Sequence, residues 1–112
     1  MIVPTLSRPE SRGTIRLASS DPFVHPLIDP NYLADQNDVD TLVAGLKLAK
    51  KLAETDAMVA AGAKIWGHEN DPYCGMEVYD SLEYWECYVR HWSFTCYHPV
   101  GTCAMGTVVD SR

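Results

Sequence analysis

The chain has 112 residues, with 9 Lys plus Arg against 15 Asp plus Glu, a formal net charge of −6. That length suits one modest domain. With 46% hydrophobic and 21% charged residues, a core is affordable and disorder is excluded. The acidic balance argues against nucleic-acid binding, which depends on clustered Lys and Arg. No apolar run approaches the roughly 18 residues of a membrane-spanning helix, so no transmembrane segment is expected. The opening residues lack the basic-then-apolar layout of a secretory signal.

Pro4 and Pro9 mark an extended lead-in to Arg12. From Gly13 to Ser19, Ile15 and Leu17 alternate with Thr14, Arg16 and Ala18, the period of a half-buried strand. Asp21-Pro22 supplies a turn. Pro22, Pro26 and Pro30 then exclude a helix or a central strand, leaving an extended surface segment anchored at Asn31-Tyr32-Leu33. Val39, Leu42, Val43, Leu46, Ala49 and Ala53 recur at helical spacing, with Leu48 and Leu52 widening the stripe. Acidic residues (Asp35, Asp38, Asp40) precede basic ones (Lys47, Lys50, Lys51), so a helix over 36–54 with a solvated acidic start is predicted.

A short helix from Thr55 to Ala61 should stop at Gly62, and Ala63–Trp66 reads as a short strand. After a loop, Asp80 or Ser81 caps a helix to residue 92, with Leu82, Trp85, Val89 and Trp92 as its apolar ridge and Tyr88 beside it. Ser93–Tyr97 has strand character, His98–Gly106 is turn-rich, and Val108-Val109 begins a further extended piece. Helices and strands mix without βαβ alternation, so the fold class is α+β: an antiparallel sheet flanked by helices.

Cysteines 74, 87, 96 and 103 form no CxxC pair, which removes zinc ribbons and thioredoxin-like motifs. One or two bridges fit an exported protein, and free thiols fit a cytosolic one. His68, Glu69 and Asp71 resemble a loose metal cluster, and His91, Cys96, His98 and Cys103 can be drawn as a zinc set. Neither has the spacing of a standard metal site, and no metal is expected. His25 lies in a proline-rich surface segment. Cys103 and Met105 read as packing residues.

The densest cluster is Tyr97-His98-Pro99-Val100-Gly101-Thr102-Cys103-Ala104-Met105-Gly106. Pro99 biases His98 toward extended backbone, and Gly101 and Gly106 permit close approach or positive φ. This is a stripped-down loop presenting one imidazole, a group able to accept and return a proton near neutrality. On residue types alone, a structural His on a Gly-rich turn is the better reading.

That string resembles the histidine signature of the glucose–methanol–choline (GMC) flavin oxidoreductases. A second block, Arg8–Leu17 with Asp21-Pro22 and Pro26–Leu33, is similar to the opening of that family's substrate-side region. The two come in the family's order, and Val108-Val109-Asp110 resembles the strand entry that follows the histidine loop. The style is nearest to insect members of the glucose dehydrogenase type, a resemblance compatible with secretion.

The resemblance implies part of a GMC substrate-binding domain, spanning 1–112 and incomplete. It implies FAD as cofactor and a small alcohol or sugar as substrate, oxidised by hydride transfer, with His98 as proton acceptor. It sets Val100, Gly101 and Thr102 beside the flavin. Where fungal glucose oxidases carry Arg and Asn, this chain has Phe94 and Cys96, which points to a less polar alcohol than glucose. The FAD-binding domain of the same protein would be the partner, since no GxG occurs here. The isolated chain is accordingly expected to be inactive, with an apolar face uncovered. The alternative is a binding or structural module that keeps the fold without a flavin domain.

Overall fold

The computed structural model describes residues 2–65, 68 and 71–110. Among them are β1 (Thr14–Arg16), β2 (Leu27–Asp29), α1 (Gln36–Ala53), α2 (Asp56–Ala60) and α3 (Leu82–Trp92). The residues divide into two units. One takes the chain up to Ser11 and Leu33–Ser93; the other takes Arg12–Tyr32 and the chain from Phe94 onward.

In the helical unit, Asp35 caps α1 by accepting from the Asn37 N–H at 2.9 Å. Asp38 departs from the solvated role read from the sequence. It is buried and accepts from the Glu10 N–H at 2.7 Å, the Ser11 N–H at 2.9 Å and the Ser11 hydroxyl. A carboxylate taken out of water needs such donors. Here they come from the lead-in, which is thereby tied to the first turn of α1. Further along, a Cβ at Gly45 would lie 2.9 Å from the Pro4 side chain, so the same lead-in runs close over the helix. Helix α2 ends as its glycine suggests. Gly62 has φ +86, its N–H donates to the Val59 carbonyl, and the Ala63 N–H donates to the Met58 carbonyl, both at 2.9 Å.

Ser81, not Asp80, caps α3, accepting from the Tyr84 N–H at 3.0 Å. Asp80 instead takes a left-handed φ of +67 and accepts from the Trp85 indole N–H at 2.8 Å. That bond, reinforced by Lys50 at 3.4 Å, holds the Asp80 carboxyl below its usual range.

The core joins Val39 and Val43 of α1 to Tyr84, Trp85 and Val89 of α3 and to Cys74, with Leu33, Leu42, Leu46, Tyr79, Cys87 and Tyr88 at its margin. It contains no strand residue; the two long helices bury their stripes against each other. Two expectations change here. Leu48 and Leu52 are exposed and do not widen the stripe of α1. On α3 the buried stripe is rotated toward Tyr84, leaving Leu82 51% and Trp92 37% exposed. Aromatic packing accounts for the rotation, since the Tyr84 ring meets Trp85 at 5.0 Å and Tyr79 at 5.3 Å, both edge-on. Burial pushes the Tyr84 hydroxyl up to about 12, with Asp71, Tyr88 and Tyr79 adding to the shift.

A disulfide joins Cys74 to Cys87, with the Cα atoms 5.8 Å apart. Closing a loop of that length stabilises the fold by about 3 kcal/mol in the chain-entropy account. Sequence left this pairing open because four cysteines allow three connectivities.

In the second unit, β1 and β2 pair antiparallel with Thr14 opposite Asp29, Ile15 opposite Ile28 and Arg16 opposite Leu27. A Cβ at Gly13 would come within 2.0 Å of the Asp29 carbonyl oxygen, so only glycine fits there. Asp21 forms the expected turn, its carboxylate accepting from the Phe23 N–H at 3.0 Å. Between Pro26 and Pro30, β2 is an edge strand, as the prolines permit. The strand read over 13–19 is shorter than its alternation suggested and is not half-buried, for Ile15 is 52% and Leu17 85% exposed. Two strands alone bury neither face. Ser93–Tyr97 is not a strand, and residues 63–65 are irregular, with Trp66 outside the described residues. Val109 makes only an isolated bridge to Met105.

Candidate functional site

The loop singled out by sequence follows the end of α3. Ser93 caps that helix, donating its N–H to the Val89 carbonyl at 3.2 Å. The Tyr97 N–H donates back to the Thr95 hydroxyl at 3.1 Å, and Tyr97 takes a left-handed φ of +62 immediately before His98. For a bulky non-glycine residue that conformation is costly, and it turns the backbone at the point where the imidazole is presented.

His98 is exposed, and no hydrogen bond or ring contact among the described residues engages its imidazole. Three residues on, Gly101 has φ +91, and a Cβ built there would meet no atom within 4 Å. Val100 and Thr102 beside it are exposed. The loop closes on the Ala104 carbonyl, which accepts from Val108 N–H at 2.9 Å and Val109 N–H at 3.3 Å. The Gly106 N–H, at φ +83, donates to the Val109 carbonyl at 2.7 Å. The result is a backbone-braced bend that holds out one imidazole and has open space beside a side-chain-free Cα. A planar group can approach such a surface closely.

Cys103 and Met105 do not pack as read from the sequence. Cys103 is a free, exposed thiol and Met105 is 87% exposed. Phe94 and Cys96 are likewise exposed on the approach to His98.

The family comparison decides what this loop belongs to. The pattern described as GMC oxidoreductase matches residues 9–112. The chain belongs to the GMC oxidoreductase family. It is 39% identical over 109 residues to a glucose dehydrogenase (FAD, quinone) of Drosophila pseudoobscura pseudoobscura, which covers 97% of this chain and 17% of that protein. It is 40% identical over 106 residues to an alcohol dehydrogenase (acceptor) of Pseudomonas putida, covering 91% and 18%. With the choline oxidase of Arthrobacter globiformis the identity is 38% over 111 residues, covering 97% and 19%. This GMC chain thus spans less than a fifth of each of these relatives. No solved structure matches it.

The remaining histidines have other surroundings. His25 is exposed in the proline-rich segment. The His68 ring stacks on Tyr79 at 4.2 Å and meets Tyr84 edge-on at 6.2 Å, while Glu69, once grouped with it, lies outside the described residues. His91 sits beside the disulfide, where Cys74, Cys87 and His91 bring their potential ligand atoms within 4.8 Å of one another. Sequence reasoning had grouped His91 with Cys96, His98 and Cys103. The informative signal was the four-residue step from Cys87 to His91 on one helix face.

Asp71 braces the turn before Cys74. It is buried and accepts from the Tyr73 N–H at 3.0 Å, the Cys74 N–H at 3.2 Å and the Trp92 indole at 3.2 Å. Burial raises its pKa, but these donors outweigh that and hold the carboxyl below its ordinary value.

No helix among the described residues is long and apolar enough to cross a membrane.

Proposed function

We propose that this chain supplies the proton-accepting side of a site that oxidises the CH–OH group of a small alcohol or sugar in a flavoprotein. When bound, FAD supplies the acceptor for the hydride of the CH–OH carbon. His98 takes the hydroxyl proton. As hydride leaves the carbon, positive charge builds on the oxygen unless that proton departs, so a base within hydrogen-bond reach lowers the barrier.

The observation that carries this reading is the exposed imidazole of His98, three residues before the open, side-chain-free Gly101. Val100, Gly101 and Thr102 form the stretch laid along the flavin, where a Cβ at position 101 would obstruct the approach and strain the backbone. Phe94 and Cys96 border the alcohol and favour an apolar substituent over a polyol, since neither offers the bidentate hydrogen bonds a sugar ring needs. The exposed apolar side chains Val100 and Met105 lie where we expect the FAD-binding part of the same protein to cover the loop. The 112 residues alone are then too little to retain FAD or turn over.

The test uses full-length, flavin-bound protein mixed anaerobically with alcohol. His98→Ala should slow flavin reduction by about 10²–10⁴-fold while flavin content stays constant. Reduction at the unaltered rate removes His98 from the reaction. Full-length protein that binds no flavin supports the binding-module reading instead.

A further inference from the structure

We propose that Cys74, Cys87 and His91 form a metal site gated by reduction of their disulfide, and that it takes a zinc-like divalent ion. The two sulfurs and the imidazole nitrogen already lie within 4.8 Å of one another. A tetrahedral ion with a metal–sulfur distance of about 2.3 Å and a metal–nitrogen distance of about 2.0–2.1 Å sets those two ligand atoms roughly 3.5 Å apart. Cys87 Sγ and His91 Nδ1 are 3.6 Å apart.

That spacing survives loss of the disulfide, because Cys87 and His91 stand one turn apart on α3. The Tyr73 ring stacks on His91 at 5.0 Å and 15° and holds the imidazole plane. Cys74 is placed independently of the cross-link, through the Asp71 carboxylate that accepts its N–H. Cys74 is fully buried, Cys87 half-buried and His91 exposed, so an ion enters from the His91 side and keeps a water as fourth ligand. Two thiolates and a neutral imidazole favour zinc-like ions over magnesium or calcium.

The chemistry balances with a dithiol as reductant. It gives two electrons and two protons to the cystine and closes its own disulfide, leaving Cys74 and Cys87 as thiols. Metal binding then releases both thiol protons. Nδ1 of His91 now faces the Cys87 carbonyl oxygen at 3.0 Å, and ligation requires the ring proton on Nε2 instead.

The experiment starts from oxidised protein with the exposed thiols of Cys96 and Cys103 alkylated. It is reduced with a phosphine, freed of metal and titrated with Co²⁺ under argon. One Co²⁺ per reduced chain is expected, with sulfur-to-cobalt absorption and tetrahedral visible bands, displaced by Zn²⁺. The oxidised protein should show none of this. His91→Ala keeps both cysteines and should weaken binding at least about tenfold, since even outer-shell partners of metal ligands cost that much. A reduced chain that binds no Co²⁺, whether folded or unfolded by circular dichroism, overturns the site. So does His91→Ala protein that binds as tightly as the parent.

Discussion

Every apolar side chain that is buried among the described residues, from Val39 to Val89, belongs to the helical unit. The unit formed by Arg12–Tyr32 and the chain from Phe94 has none, although it carries Ile15, Leu17, Phe23, Leu27, Ile28 and Phe94. Burial cannot be holding the second unit's shape. Prolines, a two-stranded ladder, left-handed glycines and side-chain-to-backbone bonds at Asp21, Asp29 and Thr95 do so. The helical unit stores stability, and the other holds out the His98 loop on a backbone that needs little core. Substitutions should therefore act very differently in the two.

The largest effect is expected at Trp85. Its indole fills the aromatic cluster of Tyr79, Tyr84 and Tyr88 and donates to Asp80. Trp85→Ala should cost about 3–5 kcal/mol in urea unfolding, enough to unfold a marginal domain. A loss below about 1 kcal/mol would show that this cluster is not the seat of stability, and the contrast between the units would fail.

A smaller, pH-dependent effect is expected at Asp71. Its carboxyl titrates below the ordinary value in the folded state, so its contribution is complete above about pH 4. It is lost as pH falls through the lowered folded value. Asp71→Asn should destabilise by about 1–3 kcal/mol at neutral pH, because an amide can accept but not hold all three donors as a carboxylate does. The gap between parent and variant should narrow below pH 4, where the parent carboxyl also becomes neutral. A gap independent of pH would mean that shape at residue 71, not charge, braces the turn before Cys74.

Much of this division was legible in the sequence. The 3.6-residue period of Val39, Val43 and Leu46 set α1, and Gly62 and Ser81 set helix ends, because those signals are local. The His98 loop was legible for the same reason, its one proline and two glycines constraining neighbouring backbone. What sequence misplaced depends on contacts between distant residues. Tyr84 replaced Leu82 and Trp92 in the core because aromatic partners from Tyr79 select its face. Asp38 is buried because Glu10 and Ser11 return to it. The Cys74–Cys87 pairing needs three-dimensional proximity, which spacing alone cannot give.

The smallest effect is expected at Phe23, which is 91% exposed beside the Asp21 turn. The turn is made by the Phe23 backbone N–H, which alanine retains, and the ring has little contact to lose. Phe23→Ala should therefore change the unfolding free energy by no more than about 0.5 kcal/mol, the ordinary range for surface positions. The same substitution in full-length protein sharpens the comparison. If the exposed apolar residues of this unit are covered by the rest of the protein, the cost there should rise above 1 kcal/mol, since a buried Phe contributes about 1.5–3 kcal/mol. Equal, negligible effects in both settings would mean that Phe23 faces solvent throughout and takes no part in joining this unit to the rest of the protein.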